Sequence, residues 1–243
     1  MRKIASHFLA IAVLFTAVSA FRCGDPAGSE RSVTAAGLDV QLAIQAGGKS
    51  VIAFNTRNRL SLQDEKYVVG KLAAASTAAN NLFDSLERFP TVDSTNKDAL
   101  LQLVDQFLGN IDTIIADNQL VALDNKTQAQ TLRWIFVARA LTQGIRVAIA
   151  SVSAPTPLGK VLISEADAKT IVGKANKNAV LKRNSKDAVD DYTQLANDII
   201  AISADFYVAL KQETGKSTDW LRAQRQSVFA SNQSLFTQQL QRI

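Results

Sequence analysis

Asp98, Asp105 and Asp112 recur every seven residues, and Asp191, Asp198 and Asp205 repeat the pattern later in the chain. Carboxylates at that spacing stand on one side of a helix, where they could hold a hard cation such as calcium or act as an acid and base pair. At about 100° per residue, the first set points nearly opposite the apolar line of Leu100, Val104, Phe107 and Ile111. The second set lies off its own apolar line as well. Both stripes are therefore expected to face water, and no metal ligand, catalytic residue or cofactor site is assigned to them. A di-iron site in a helical bundle needs inward Glu and Glu-x-x-His pairs. The chain's single histidine, His7, lies in a segment expected to be removed.

Other chemistry-bearing motifs are incomplete. Gly48-Lys49-Ser50 and Gly215-Lys216-Ser217 resemble the end of a phosphate-binding loop, but the glycine required five residues earlier is Ala43 in one and Leu210 in the other. Both triplets are expected to be loop or cap residues. A Ser-His-Asp or Cys-His arrangement is excluded without histidine, and Ser61-Leu-Gln-Asp64 and Ser164-Glu-Ala-Asp167 lack the Ser-x-x-Lys spacing of serine-lysine hydrolases.

Two regions are candidates for contact with a partner. Lys174, Lys177, Lys182, Arg183 and Lys186 occur with no acid between Asp167 and Asp187. They could meet an anionic headgroup, a cell-wall polymer or another partner, although a solvated segment between helices is the simpler reading. No aromatic residue accompanies them, which argues against nucleic acid. Near the C-terminus, Leu221, Val228 and Leu235 form one apolar line and Phe229, Phe236 and Ile243 an adjacent one, above a glutamine-rich polar face. Such a helix closes a bundle. Alternatively, Trp220, Leu221, Val228, Phe229 and Phe236 could be offered to a partner protein or a membrane surface.

The elements that must position these residues follow an export signal. Arg2 and Lys3, the apolar run to Val18, and the small residues at Ser19 and Ala20 predict a secretory signal over residues 1–20, followed by a flexible segment over 21–31 and a helical domain over 32–243. The mature chain is then periplasmic or extracellular. Cys23 would suit a lipid anchor, but Phe21-Arg22 replaces the small residue expected before it. Loss of Arg2 and Lys3 takes Lys plus Arg from 27 to 25 against 22 acids, a net charge of +3 that does not imply nucleic acid. One cysteine makes no internal disulfide, so an apolar core must hold the fold.

That core is helical by its spacing. Val68, Leu72, Ala75, Ala79, Leu82, Leu86 and Phe89 step by alternate fours and threes. The same rhythm runs through Leu100 to Ile114, Trp134 to Val152 and Tyr192 to Ala209. Such seams predict an all-α, antiparallel bundle of six to seven helices near 32–58, 62–88, 96–116, 125–152, 165–180, 185–213 and 218–241. Leu38 to Ile44 also alternates as a strand would, but no partner strand is visible, so a helix weakened at Gly47-Gly48 is expected. Ser61 with Asp64, Thr95 with Asp98, Ser164 with Asp167 and Asn184 with Asp187 are expected caps, as are Asp124 and Ser217. Arg139 and Arg146 share a face of their helix, which rules it out as a membrane span. Residues 61–71 match 164–174 at six of eleven positions, consistent with two duplicated helical units.

Taken together, these features predict an exported, non-catalytic helical-bundle protein that binds or scaffolds in the cell envelope. The alternatives are a carrier of a small apolar or anionic ligand, and a carboxylate-dependent hydrolase with two inward acids facing one cleft.

Overall fold

The computed structural model describes residues 31–56, 60–117, 125–163 and 215–242, together with 205, 208–209 and 212–213. The described residues form an all-α fold with five long helices: α1 (Val33–Thr56), α2 (Leu62–Leu86), α3 (Lys97–Ile115), α4 (Asn125–Ser151) and α5 (Thr218–Leu240). The predicted helices at 165–180 and 185–213 fall largely outside the described residues, as do the basic cluster from Lys174 to Lys186, the Tyr192 to Ala209 seam, and the second copy of the internal similarity.

The four-three seams form the core. Val68, Leu72, Ala75, Ala79, Leu82 and Leu86 of α2 are buried, as are Leu100, Val104, Phe107, Ile111 and Ile114 of α3. On α4, Trp134, Ala138, Leu141, Ile145 and Ala148 are buried too. Helix α1 is buried nearly all round, as expected of a helix apolar on every side. It packs against α2, α4 and α5, while α3 closes against α2 and α4. Consecutive helices run antiparallel. Helix α5 keeps the alternation: Gln41 meets Asn232 and Gly48 meets Phe236, so α5 lies parallel to α1. It runs antiparallel to α2, where Arg225 meets Asp84 and Asn232 meets Ser76.

Helix α1 runs unbroken through Gly47 and Gly48, the expected weak point. Both glycines admit neighbouring aromatic side chains. A Cβ on Gly48 would lie 2.3 Å from Phe236 Cε1, and one on Gly47 would lie 3.4 Å from Trp134 Cβ. Gly37 does the same for Phe83, whose Cδ1 would lie 2.7 Å from an added Cβ. The entropy lost by placing glycine in a helix, about 1 kcal/mol relative to alanine, is offset here by close packing of large rings. Ser50, expected in a loop or cap, is buried inside α1. Its hydroxyl donates to Ala46 O at 2.8 Å and accepts from Trp134 Nε1 at 3.1 Å.

Two short ladders tie the connections at one end of the bundle. Strand β1 (Arg31–Ser32) pairs antiparallel with β4 (Leu162–Ile163), and β2 (Thr91–Val92) pairs antiparallel with β3 (Thr156–Pro157). Two-residue ladders carry no periodic signal, so the sequence pattern does not announce them.

The caps are met in part. Ser61 caps α2 by accepting from Asp64 N at 3.1 Å, and its hydroxyl donates to Asp64 Oδ2 at 2.6 Å. Ser217 caps α5 by accepting from Trp220 N at 3.2 Å, just after Gly215 takes a left-handed φ of 74°. The expected cap at Thr95 is replaced by an Asp93 turn. Asp93 Oδ1 accepts from Thr95 N at 2.8 Å and Asn96 N at 3.3 Å, which leaves Asn96 as the residue preceding α3. The Thr95 hydroxyl, which also donates to Asp93 Oδ1, and then these backbone donors hold the Asp93 carboxyl below its usual range. Asp124 and the caps at Ser164 and Asn184 lie outside the described residues.

Candidate functional site

Polar residues buried in the core lie mainly where α5 meets α1 and α2. Helix α5 docks through a four-three seam of Leu221, Arg225, Val228, Asn232, Leu235 and Gln239. Its apolar members, spaced by seven, are the line visible in the sequence. Its polar members, Arg225, Asn232 and Gln239, are spaced by seven as well and are all buried. This second line is the signal missed when apolar residues alone are traced. Polar side chains in a helical seam fix register and partner choice and reduce stability.

Arg225 is 1 % exposed. Its Nη1 donates to Asn80 Oδ1 at 2.7 Å, and its Nη2 donates to Asp84 Oδ1 at 2.7 Å and Glu87 Oε2 at 3.2 Å. The guanidinium also lies 5.8 Å from the Phe83 ring centroid. Arg222 adds a bond to Glu87 at 2.8 Å, and Gln226 adds one to Asp84 at 2.8 Å. About two turns farther along, Asn232 Nδ2 donates to Gln41 O and Gln41 Oε1, both at 3.1 Å. Gln41 in turn donates to Ser76 O and accepts from the Ser76 hydroxyl, each at 2.8 Å. The Asn232 cluster thus joins three helices, while the Arg225 cluster joins α2 to α5. Arg225 Nε and Asn232 Oδ1 have no hydrogen-bond partner.

The five residues considered for a partner helix divide between two environments. Leu221 and Phe236 are buried in the bundle, Leu221 beside Ala35 and Leu38, and Phe236 against Gly48. Trp220, Val228 and Phe229 are half-buried, and Lys216 Nζ lies 5.3 Å from the Trp220 ring centroid.

Among the aspartate stripes, Asp105 and Asp112 are exposed, and both pair with α4. Arg146 grips Asp105 at 2.6 and 3.2 Å, and Arg139 grips Asp112 at 2.5 and 3.1 Å. Each carboxylate holds its guanidinium proton more tightly than usual, raising the pKa of Arg139 and Arg146. The antiparallel register of α3 and α4 brings the two seven-residue spacings into coincidence. Asp98 and Asp205 are exposed, and Asp191 and Asp198 lie outside the described residues.

Asp39, buried near the start of α1, and Glu65, buried in the first turn of α2, stand at opposite ends of the antiparallel α1–α2 pair, and Glu213 is a third buried acid. Near the Glu65 end, Tyr67 donates to Asp117 Oδ2 at 2.6 Å and Lys71 lies 3.1 Å from the same oxygen. Asp117 pushes both the Tyr67 phenol and the Lys71 ammonium up in pKa, chiefly through these hydrogen bonds. The trio joins α2 to the end of α3. Among the described residues, no three His, Cys, Asp or Glu side chains converge as metal ligands, and no helix is long and apolar enough to cross a membrane.

Comparison of the chain with protein-family models, curated proteins and solved structures found no match.

Proposed function

We propose that this is an exported, non-catalytic helical-bundle protein that binds or scaffolds in the cell envelope, with α5 as its recognition element. The observation that carries this reading is the polar seam: Arg225, Asn232 and Gln239 are buried at seven-residue intervals where α5 lies between α1 and α2. A seam of that composition favours one register and one partner chemistry over sheer stability, as helix-in-groove recognition requires. The buried polar groups of Gln41, Ser76, Asn80 and Arg225 are engaged in holding helices together, which suits assembly better than reaction chemistry. Export rests on the charge and apolar pattern of residues 1–20.

The test is a reversible lock. Gln45 on α1 and Ser231 on α5 are joined by a 3.2 Å side-chain hydrogen bond. A Gln45→Cys, Ser231→Cys chain carrying Cys23→Ser would fix α5 in place when oxidised. Loss of envelope-protein capture on oxidation, with recovery on reduction, is expected. Equal capture in both states would move recognition away from α5 and its groove.

A further inference from the structure

Glu65 differs from the other acids that α2 places near α5. Asp84 and Glu87 each receive a guanidinium, whereas Glu65 is 1 % exposed and neither carboxyl oxygen has a hydrogen-bond partner. It lies four, eleven and fifteen residues before Val69, Ser76 and Asn80, a spacing that places it along the same side of α2. Ser76 and Asn80 bond Asn232 and Arg225 of α5. The antiparallel register then sets Glu65 level with the residues ending α5. There, exposed Arg242 donates to Gln239 Oε1 at 3.0 Å and forms no bond to Glu65.

We propose that Glu65 is a protonation-dependent latch for the end of α5: the closed bundle accommodates its neutral acid, and ionisation loosens the last turns of that helix. A carboxylate buried without donors is strongly disfavoured, whereas a neutral carboxyl is tolerated at smaller cost. Burial pushes the Glu65 carboxyl up from 4.5, and Arg242 partly opposes this. At the same end Lys71 and Asp117 pair with each other, and its neighbours Asp64 and Lys66 are exposed and half-buried respectively. Because the folded pKa is raised, the stabilisation is complete below the unfolded value and is lost as pH rises through the folded value. The inference holds whether or not α5 meets a partner.

Two measurements on the full chain test it. The first follows amide exchange at residues 233–240 from pH 4.5 to about pH 8, corrected for intrinsic rates. Protection in the wild type should fall at least about tenfold across the rise, Glu65→Gln should abolish that dependence, and Arg242→Gln should steepen it. The same pH dependence in wild type and Glu65→Gln would overturn the latch. The second needs no variant: the carboxyl of isotope-labelled Glu65 should titrate above 4.5, and titration at or below that value would also overturn it.

Discussion

The α3–α4 and α5 seams share a seven-residue rhythm but place charge in opposite locations. Between α3 and α4 the centre is apolar, with Val104, Phe107 and Ile111 buried, and the Asp105–Arg146 and Asp112–Arg139 pairs form an exposed rim. Along α5 the order is inverted, and Arg225 and Asn232 lie in the buried centre. Water screens the rim pairs, so their loss changes little. In the α5 seam, a group deprived of its partner has no solvent to turn to. The first seam therefore derives its strength from apolar area, and the second derives specificity from polar complementarity.

The comparison predicts a graded series of effects. Arg225→Ala should be the most damaging, because it leaves Asn80 and Glu87 without their cation inside the bundle. Breaking a buried pair from one side costs about 3–5 kcal/mol, and the lower end applies because Asp84 remains partly open to water. Urea unfolding would measure the loss, and an effect no larger than that of a rim substitution would erase the distinction between the seams.

Gly48→Ala tests how closely α5 sits on α1. The added methyl meets Phe236, and overpacking of this kind costs about 1–3 kcal/mol. Adding Phe236→Leu should recover part of it, which a thermal melt of the single and double variants would show. Asn232→Ala should cost about 1–2 kcal/mol, since it removes the donor bonded to Gln41 and leaves that acceptor inside. Its signature would be faster amide exchange along α5 with little change in α3. The smallest effect belongs to the rim. A double-mutant cycle on Asp105 and Arg146 should return a coupling of about 0.2–1 kcal/mol that fades with added salt. A coupling as large as the Arg225 effect would place the two seams in one energetic class.

Much of this arrangement is legible in the residues. The seams of α2, α3 and α4 follow from apolar spacing, because a helix places positions three and four apart on one face whatever its surroundings. Ser61 and Ser217 are recognisable as caps because a cap is a local hydrogen bond. Gly47 and Gly48 are less legible. Helix propensity marks them as weak, while their value depends on Trp134 and Phe236, which are distant in sequence. The polar line of α5 was present as Arg225, Asn232 and Gln239, but polarity normally marks the wet face, and only the docked position identifies this one as dry.

By itself, the sequence determined the helical class, the spans of the five described helices to within a few residues, and the apolar face of each seam. These properties arise from local periodicity and capping. Tertiary structure alone decided that α5 runs parallel to α1, that Asp105 and Asp112 meet Arg146 and Arg139, and that Glu65 is enclosed without a partner. The physical reason is that burial and pairing depend on which distant elements share a surface, and no local period encodes that.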